Sequence, residues 1–146
     1  MKAAAAAKKP QGVYARMSAL LETPMASETD AIDIVNRGLS TKSFKRLSKR
    51  LDIPHRFVAS ESTVRRRLEN NERFTGAEAE RVLRLVRVFS EAAELFGDDA
   101  LALKWMNTPA RYLPDAEPIT PLQVCSTEPG ARLIESHLLR TAHGIF

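Results

Sequence analysis

The side chains best equipped for chemistry are cations. Arg65, Arg66 and Arg67 follow directly on the hydroxyls of Ser60, Ser62 and Thr63. Short hydroxyls at a helix N-terminus contact phosphate or base edges, and arginines one turn later reach guanine or the DNA backbone. Lys42, Lys45, Arg46 and Lys49 stand just upstream. Between Arg37 and Arg73 eleven Lys/Arg face only four acids, a local charge of +7, whereas six basic and eight acidic residues follow from Arg84 to the end. Charge concentrated in one segment points to a polyanion-binding face there and a different task downstream. Ser62, Thr63, Arg65, Arg66, Arg67, Lys45 and Lys49 are the candidate DNA-contacting residues.

Other reactive types form no convergent set. Cys125 is the one cysteine, so no internal disulfide is possible, and it follows the apolar Leu122 and Val124, which predicts a buried, inert thiol. His137 and His143 fall on different helix faces with no third ligand nearby, which argues against a zinc site. Neither a metal, a cofactor nor a catalytic residue is expected. Trp105 reads as a core anchor after a short helix. The chain finishes Gly144-Ile145-Phe146, where polar, frayed residues are the rule. Two placements are open: Phe146 folding back on the last helix, or an apolar plug on a Gly144 swivel entering a partner.

Helices must position these residues. Hydrophobic residues make up 44% of the chain and aromatics only 6%, a composition suited to helices packed through Leu, Val and Ala. No strand-period alternation and no internal repeat is seen, so the expected fold is all-α. Ser27, Ser40 and Ser60 or Ser62 read as caps of three successive helices. Phe44, Leu47 and Leu51 form one buried stripe, and Val64 and Leu68 another. Thr75 with Glu78 reads as a capping box opening a long helix whose stripe runs from Ala79 to Phe96, ended by Gly97. A short helix over 99–106, a Pro-punctuated loop over 110–120, a single turn at Pro121 and a last helix from about 127–129 complete the order. The resulting division is a flexible tail over 1–27, a DNA-binding region over 28–93 and a partner-binding region over 94–146. The five alanines near the N-terminus are cut off by Lys8, Lys9 and Pro10 before they could form a secretory segment. No apolar run approaches the roughly 20 residues that span a bilayer. A cytoplasmic protein without membrane contact is expected.

Phe96-Gly97-Asp98-Asp99, Ala102, Trp105-Met106, Thr108-Pro109, Leu113, Thr120-Pro121-Leu122, Thr127, Gly130, Leu138 and His143-Gly144 resemble the toxin-binding domain of Xre/MbcA/ParS-type antitoxins. Thr63 to Leu68 and the long helix behind them are similar to that family's helix–turn–helix half. The resemblance covers about residues 28–146 and is more specific in its C-terminal part. It implies a type II toxin–antitoxin system with a RES-type toxin that consumes NAD⁺, an antitoxin C-terminus that blocks the toxin's cleft, and repression of the shared operon through operator DNA. Trp105, Pro109, Pro121 and Gly130 would shape the toxin-binding domain. Trp105, Pro109, Arg140, His143, Gly144, Ile145 and Phe146 would face the toxin. The chain departs from the family pattern at Asp115-Ala116-Glu117-Pro118, where a glycine turn is common, and in the long connection from Asp52 to Ala59.

The competing reading is a stand-alone helix–turn–helix transcriptional regulator with a C-terminal dimerisation or ligand domain, which leaves the apolar end of the chain without a role. The long helix carries more apolar positions than a small three-helix core covers. Self-association through it, within a toxin–antitoxin hetero-oligomer, is therefore also expected.

Overall fold

The computed structural model describes residues 12–144. It is 68% helical, as the all-α expectation requires. Among the described residues extended pairing is limited to two isolated antiparallel bridges, Leu39 with Phe74 and Ala110 with Ile119.

The helices begin and end where local chemistry dictates. In α2 (Glu28–Arg37) the Ser27 hydroxyl accepts from the Asp30 amide, and Gly38 at φ 85° ends the helix. In α3 (Thr41–Leu51) Ser40 accepts from Ser43 N at 3.1 Å, and Asp52 closes the helix in the left-handed region before Pro54. Ser60 caps α4 (Glu61–Asn70) by accepting from Thr63 N at 3.2 Å. Asp98 caps α6 (Asp99–Met106), Thr120 and Gln123 form a complete capping box on α7 (Pro121–Val124), and Thr127 caps α8 (Glu128–Ala142). Each supplies an acceptor to amides that have no partner inside the helix.

The spine is α5 (Ala77–Phe96). The box expected at its start is only half made. Glu78 reaches back to the Thr75 amide at 3.2 Å, but no side chain caps the helix, whose N-cap is Gly76. Ala79, Val82, Leu83, Val86, Phe89 and Ala93 are all buried, as are Leu85, Val88 and Ala92 on other faces. A helix with apolar residues around most of its circumference has to be enclosed. The enclosing elements are α2, α6, α8 and a helix the sequence reading treated as loose tail.

That helix is α1 (Val13–Leu21), which corrects the flexible segment expected over 1–27 from residue 12 onward; residues 1–11 lie outside the described residues. Met17, Leu20, Leu21 and Met25 are buried against α5 and α3. Arg16 ties α1 to the far end of α5 through Glu94 at 2.7 Å and to α6 through Asp99 at 2.9 Å. With α1 and α8 in place, the stripe of α5 from Ala79 to Ala93 is covered within the chain, and Leu95 is left half-buried.

One hydrophobic cluster runs from Met17 to Leu138 through both expected regions, and the boundary placed at 93/94 falls inside α5. Arg84, 8% exposed, enters the seam between α5 and α8. There it meets Glu80 at 2.6 Å, Glu128 at 3.4 Å and the Ser126 carbonyl at 3.1 Å. Arg87 meets Glu135 at 2.7 Å. These two arginines contact successive points of α8, so α5 and α8 run in the same direction.

Of the described glycines, Gly130 has the least room for a side chain. A Cβ there would lie 1.8 Å from the Val124 carbonyl oxygen, so the first turn of α8 can cross the end of α7 only without a side chain. Gly130→Ala is expected to cost about 3 kcal/mol of stability, the upper end for overpacking, read as a lower urea midpoint. At Gly144, φ 70°, an added Cβ meets nothing within 4 Å; Gly144→Ala should cost only the local left-handed strain, about 1 kcal/mol. Ser90 is fully buried, and its hydroxyl has no hydrogen-bond partner among the described residues. Ser90→Ala should be neutral or stabilising by about 1 kcal/mol in the same titration.

Candidate functional site

The basic face is carried by α3 and α4. Phe44 and Leu47 anchor α3 in the core, which turns Lys42, Lys45 and Lys49 outward, all three exposed. On its other flank Arg46 pairs with Glu22, the residue that ends α1, and Arg50 lies 3.9 Å from the same carboxylate. The long connection over 52–60 is packed rather than loose. Ile53 and Val58 are buried, and a 3-10 turn over His55–Phe57 occupies its middle. Arg81 of α5 donates to the Val58 carbonyl at 2.9 Å, fixing the connection to the spine. Val64, fully buried, and Leu68, half-buried, hold α4 by one side.

The arginine run divides accordingly. Arg65 and Arg66 are exposed. Arg65 makes no ion pair among the described residues, and Arg66 lies only within 3.8 Å of Glu72. Arg67 is enclosed instead. Its Nε lies 2.8 to 2.9 Å from both Glu78 oxygens, and a terminal nitrogen donates to the Arg73 carbonyl at 3.1 Å. It therefore bridges α4 to the start of α5, and its charge is spent inside the chain. Ser62 is exposed on the first turn of α4, 3.3 Å from the Ser60 hydroxyl. Thr63, half-buried, accepts from that same hydroxyl at 2.8 Å and belongs to the cap. The outward set is thus Lys45, Lys49, Ser62, Arg65 and Arg66, joined by Lys42.

The second region gathers at the other end of α5. Trp105 is half-buried and meets Phe96 edge-on, with ring centroids 5.9 Å apart, as the core-anchor reading expects. Pro109 is exposed on the loop after α6, just before the Ala110–Ile119 bridge. Tyr112 of that loop packs edge-on against His137 of α8 at 5.3 Å, giving this histidine a packing role. Arg140 and His143 are exposed at the end of α8, where Gly144 turns the backbone into the left-handed region at φ 70°. Ile145 and Phe146 lie outside the described residues. Cys125 is fully buried, and burial together with the nearby Glu135 charge pushes its thiol up to about 12, so it stays protonated at neutral pH.

A feature the sequence reading missed lies between α5 and α8. Glu91 and Glu135, far apart in sequence, stand half-buried side by side near Arg87, under an apolar groove of about 510 Å³. The available signal was the helical spacing of Glu80, Arg84, Arg87, Glu91 and Glu94, which puts charges on one face of α5.

The profile of the antitoxin Xre/MbcA/ParS C-terminal toxin-binding domain matches residues 91–144, the stretch from the last turns of α5 to the end of α8. An antitoxin Xre of Yersinia enterocolitica is 33% identical over 130 residues, covering 84% of this chain and 85% of the relative. An antitoxin Xre of Pseudomonas putida is 25% identical over 134 residues, covering 89% and 82%. An antitoxin Xre of Photorhabdus laumondii is 38% identical over 81 residues, about half of each chain. With a relative this similar along most of both chains, and with the toxin-binding match falling on the helices at the far end of α5, this chain belongs to the Xre/MbcA/ParS family of toxin–antitoxin antitoxins.

Proposed function

We propose that this antitoxin neutralises an NAD-consuming toxin of the RES type with the 91–144 end of the chain. In this reading it represses its own operon with the exposed cations of α3 and α4. The observation that carries this reading is the placement of two chemically different surfaces at opposite ends of one helix. Arg67 and Glu78 join α4 to the first turn of α5, and Leu95 lies beside the end of α8. Those two points of α5 are seventeen residues apart, about 25 Å at the rise of a helix. A duplex lying along Lys45, Lys49, Ser62, Arg65 and Arg66 leaves the end of α8 open to a protein. A free-standing regulator leaves α6, α7 and α8, which carry the toxin-binding match, without a task.

Neutralisation in this reading ends in the chain beyond Ala142. In this reading Ile145 and Phe146 would enter the toxin's cleft, with Trp105, Pro109, Arg140 and His143 contacting the toxin behind them. Burying Ile145 and Phe146 contributes roughly 1.5–3 kcal/mol each, too little to hold a complex, so the helices supply most of the affinity. Enzymatic work falls to the toxin and none to this chain.

Two measurements test the reading. Replacing Lys45, Lys49, Arg65 and Arg66 with alanine should lower the slope of log affinity against log salt for the chain's own promoter fragment by about 3 to 4, since each phosphate contact contributes about 0.9. The toxin should still be captured. Arg67→Ala should behave differently, losing thermal stability through its broken tie to Glu78 with little change in that slope. An unaltered slope in the fourfold variant sinks the DNA assignment. Deleting residues 144–146 should leave a complex that survives pull-down while NAD⁺ consumption returns. A truncated complex that stays inactive shows instead that the helices themselves inhibit.

A further inference from the structure

Beside the spine, α5 and α8 leave a groove that nothing described fills. Leu95, Leu138, Leu139 and Ala142 form its walls, and Val13 of α1 closes one edge. Leu139 on the rim is 62% exposed, a large apolar side chain left in water. In the floor lie the carboxyls of Glu91 and Glu135, with Arg87 bonded to Glu135 at 2.7 Å. Glu94 also borders the groove but is engaged by Arg16. Every lining residue except Val13 falls inside the 91–144 match. Ala142 brings the groove to the point where the chain leaves α8.

We propose that this groove is a docking site for an apolar segment of the toxin that carries one Lys or Arg, whose cation enters between Glu91 and Glu135. The inference rests on the toxin-binding reading above and adds to it the place and the chemistry of the contact. Apolar walls around an acidic floor select that occupant. A cation beside Glu91 and Glu135 gains from the two carboxyls, which a purely apolar segment cannot use, and a purely basic segment leaves the walls and Leu139 uncovered. Arg87 supplies one cation for two carboxyls, so a second cation is needed for both to be ionised. The groove also adjoins the end of α8, which lets one toxin surface engage both the groove and the residues after Ala142.

The electrostatics give the contact a signature. Burial and the neighbouring Glu135 push Glu91 up to about 8, against the pull of Arg87. Its charged surroundings are Arg87 and Glu94 on α5, Glu128 and Glu135 on α8, Cys125 after α7 and Arg16 of α1, itself held by Glu94. In the free protein Glu91 is mostly protonated at neutral pH. A cation arriving beside it favours the ionised form, so binding releases a proton and tightens as pH rises from about 6 to about 8.5.

The test uses the full-length antitoxin and the toxin encoded in its operon, with titration calorimetry in buffers of different ionisation enthalpy. Glu91→Gln keeps the shape of the protonated side chain, so the fold is retained, as a melting curve checks. It should weaken toxin binding about tenfold or more at high pH and abolish the proton release. Leu139→Ser should weaken binding without touching the proton release. Among short overlapping peptides of the toxin, those that bind should hold a Lys or Arg between apolar residues, and replacing that cation with Gln should remove binding. Wild type and the Glu91→Gln/Leu139→Ser double variant binding the toxin equally overturns the groove while leaving the toxin-binding reading intact. A wild-type chain that binds no toxin overturns that reading and the groove with it. A wild-type dimer that the double variant converts to monomer shows the groove to be covered by a second copy, which also overturns the proposal.

Discussion

The structure depends on the need to enclose α5. This helix buries apolar side chains around most of its circumference, and a helix of that kind is stable in water only when other elements wrap it. That requirement fixes where α1, α2, α6 and α8 lie, and the two inward arginines fix how α8 lies. A guanidinium in a seam must be matched by carboxylates and carbonyls, and Arg84 meets Glu80, Glu128 and the Ser126 carbonyl there. The pairing holds α8 parallel to the spine, and the parallel course carries the end of the chain away from the basic helices.

The same logic sorts the cations of α4. Residues three and four apart share a face, so the side of α4 held by Val64 and Leu68 carries Arg67 toward the start of α5, while Arg65 and Arg66 stay on the outer arc. Three consecutive arginines thus do two jobs. One locks the helix through Glu78, and two are offered outward. The lock costs one cation of the basic face and fixes the angle at which the others are presented.

The sequence alone showed the elements whose signals are local. Ser27, Ser40 and Ser60 each cap a helix as expected, and the stripe of α5 is buried from Ala79 to Ala93 as its spacing requires. The stretch before residue 28 was misjudged on its prolines and glycine. Its stripe of Met17, Leu20 and Leu21 has helical spacing, but its value appears only when α5 stands next to it. Much of the apolar surface of α5 that exceeds a three-helix core is covered by α1. Thr75 and Glu78 had the spacing of a capping box, yet Glu78 is shared with Arg67 and the helix begins one residue later than that box allows. The acidic floor of the groove was beyond reach, since no periodicity relates Glu91 to Glu135. Their proximity is a product of how α8 returns along the spine.

The common cluster that joins α1, α3, α5 and α8 has a consequence for how the protein is destroyed. Surfaces held by separate cores can be lost one at a time by proteolysis, but here the basic face and the toxin-binding helices share one. The loop over 107–120 is largely exposed and connects α6 to α7. A protease cutting there frees α7 and α8 from covalent attachment to α5, and their departure strips one side of the spine and leaves Arg84 and Arg87 without their acids. Small domains with one core unfold as a unit, so the basic helices lose their support in the same event. A single cut in this loop then removes the support of both surfaces together.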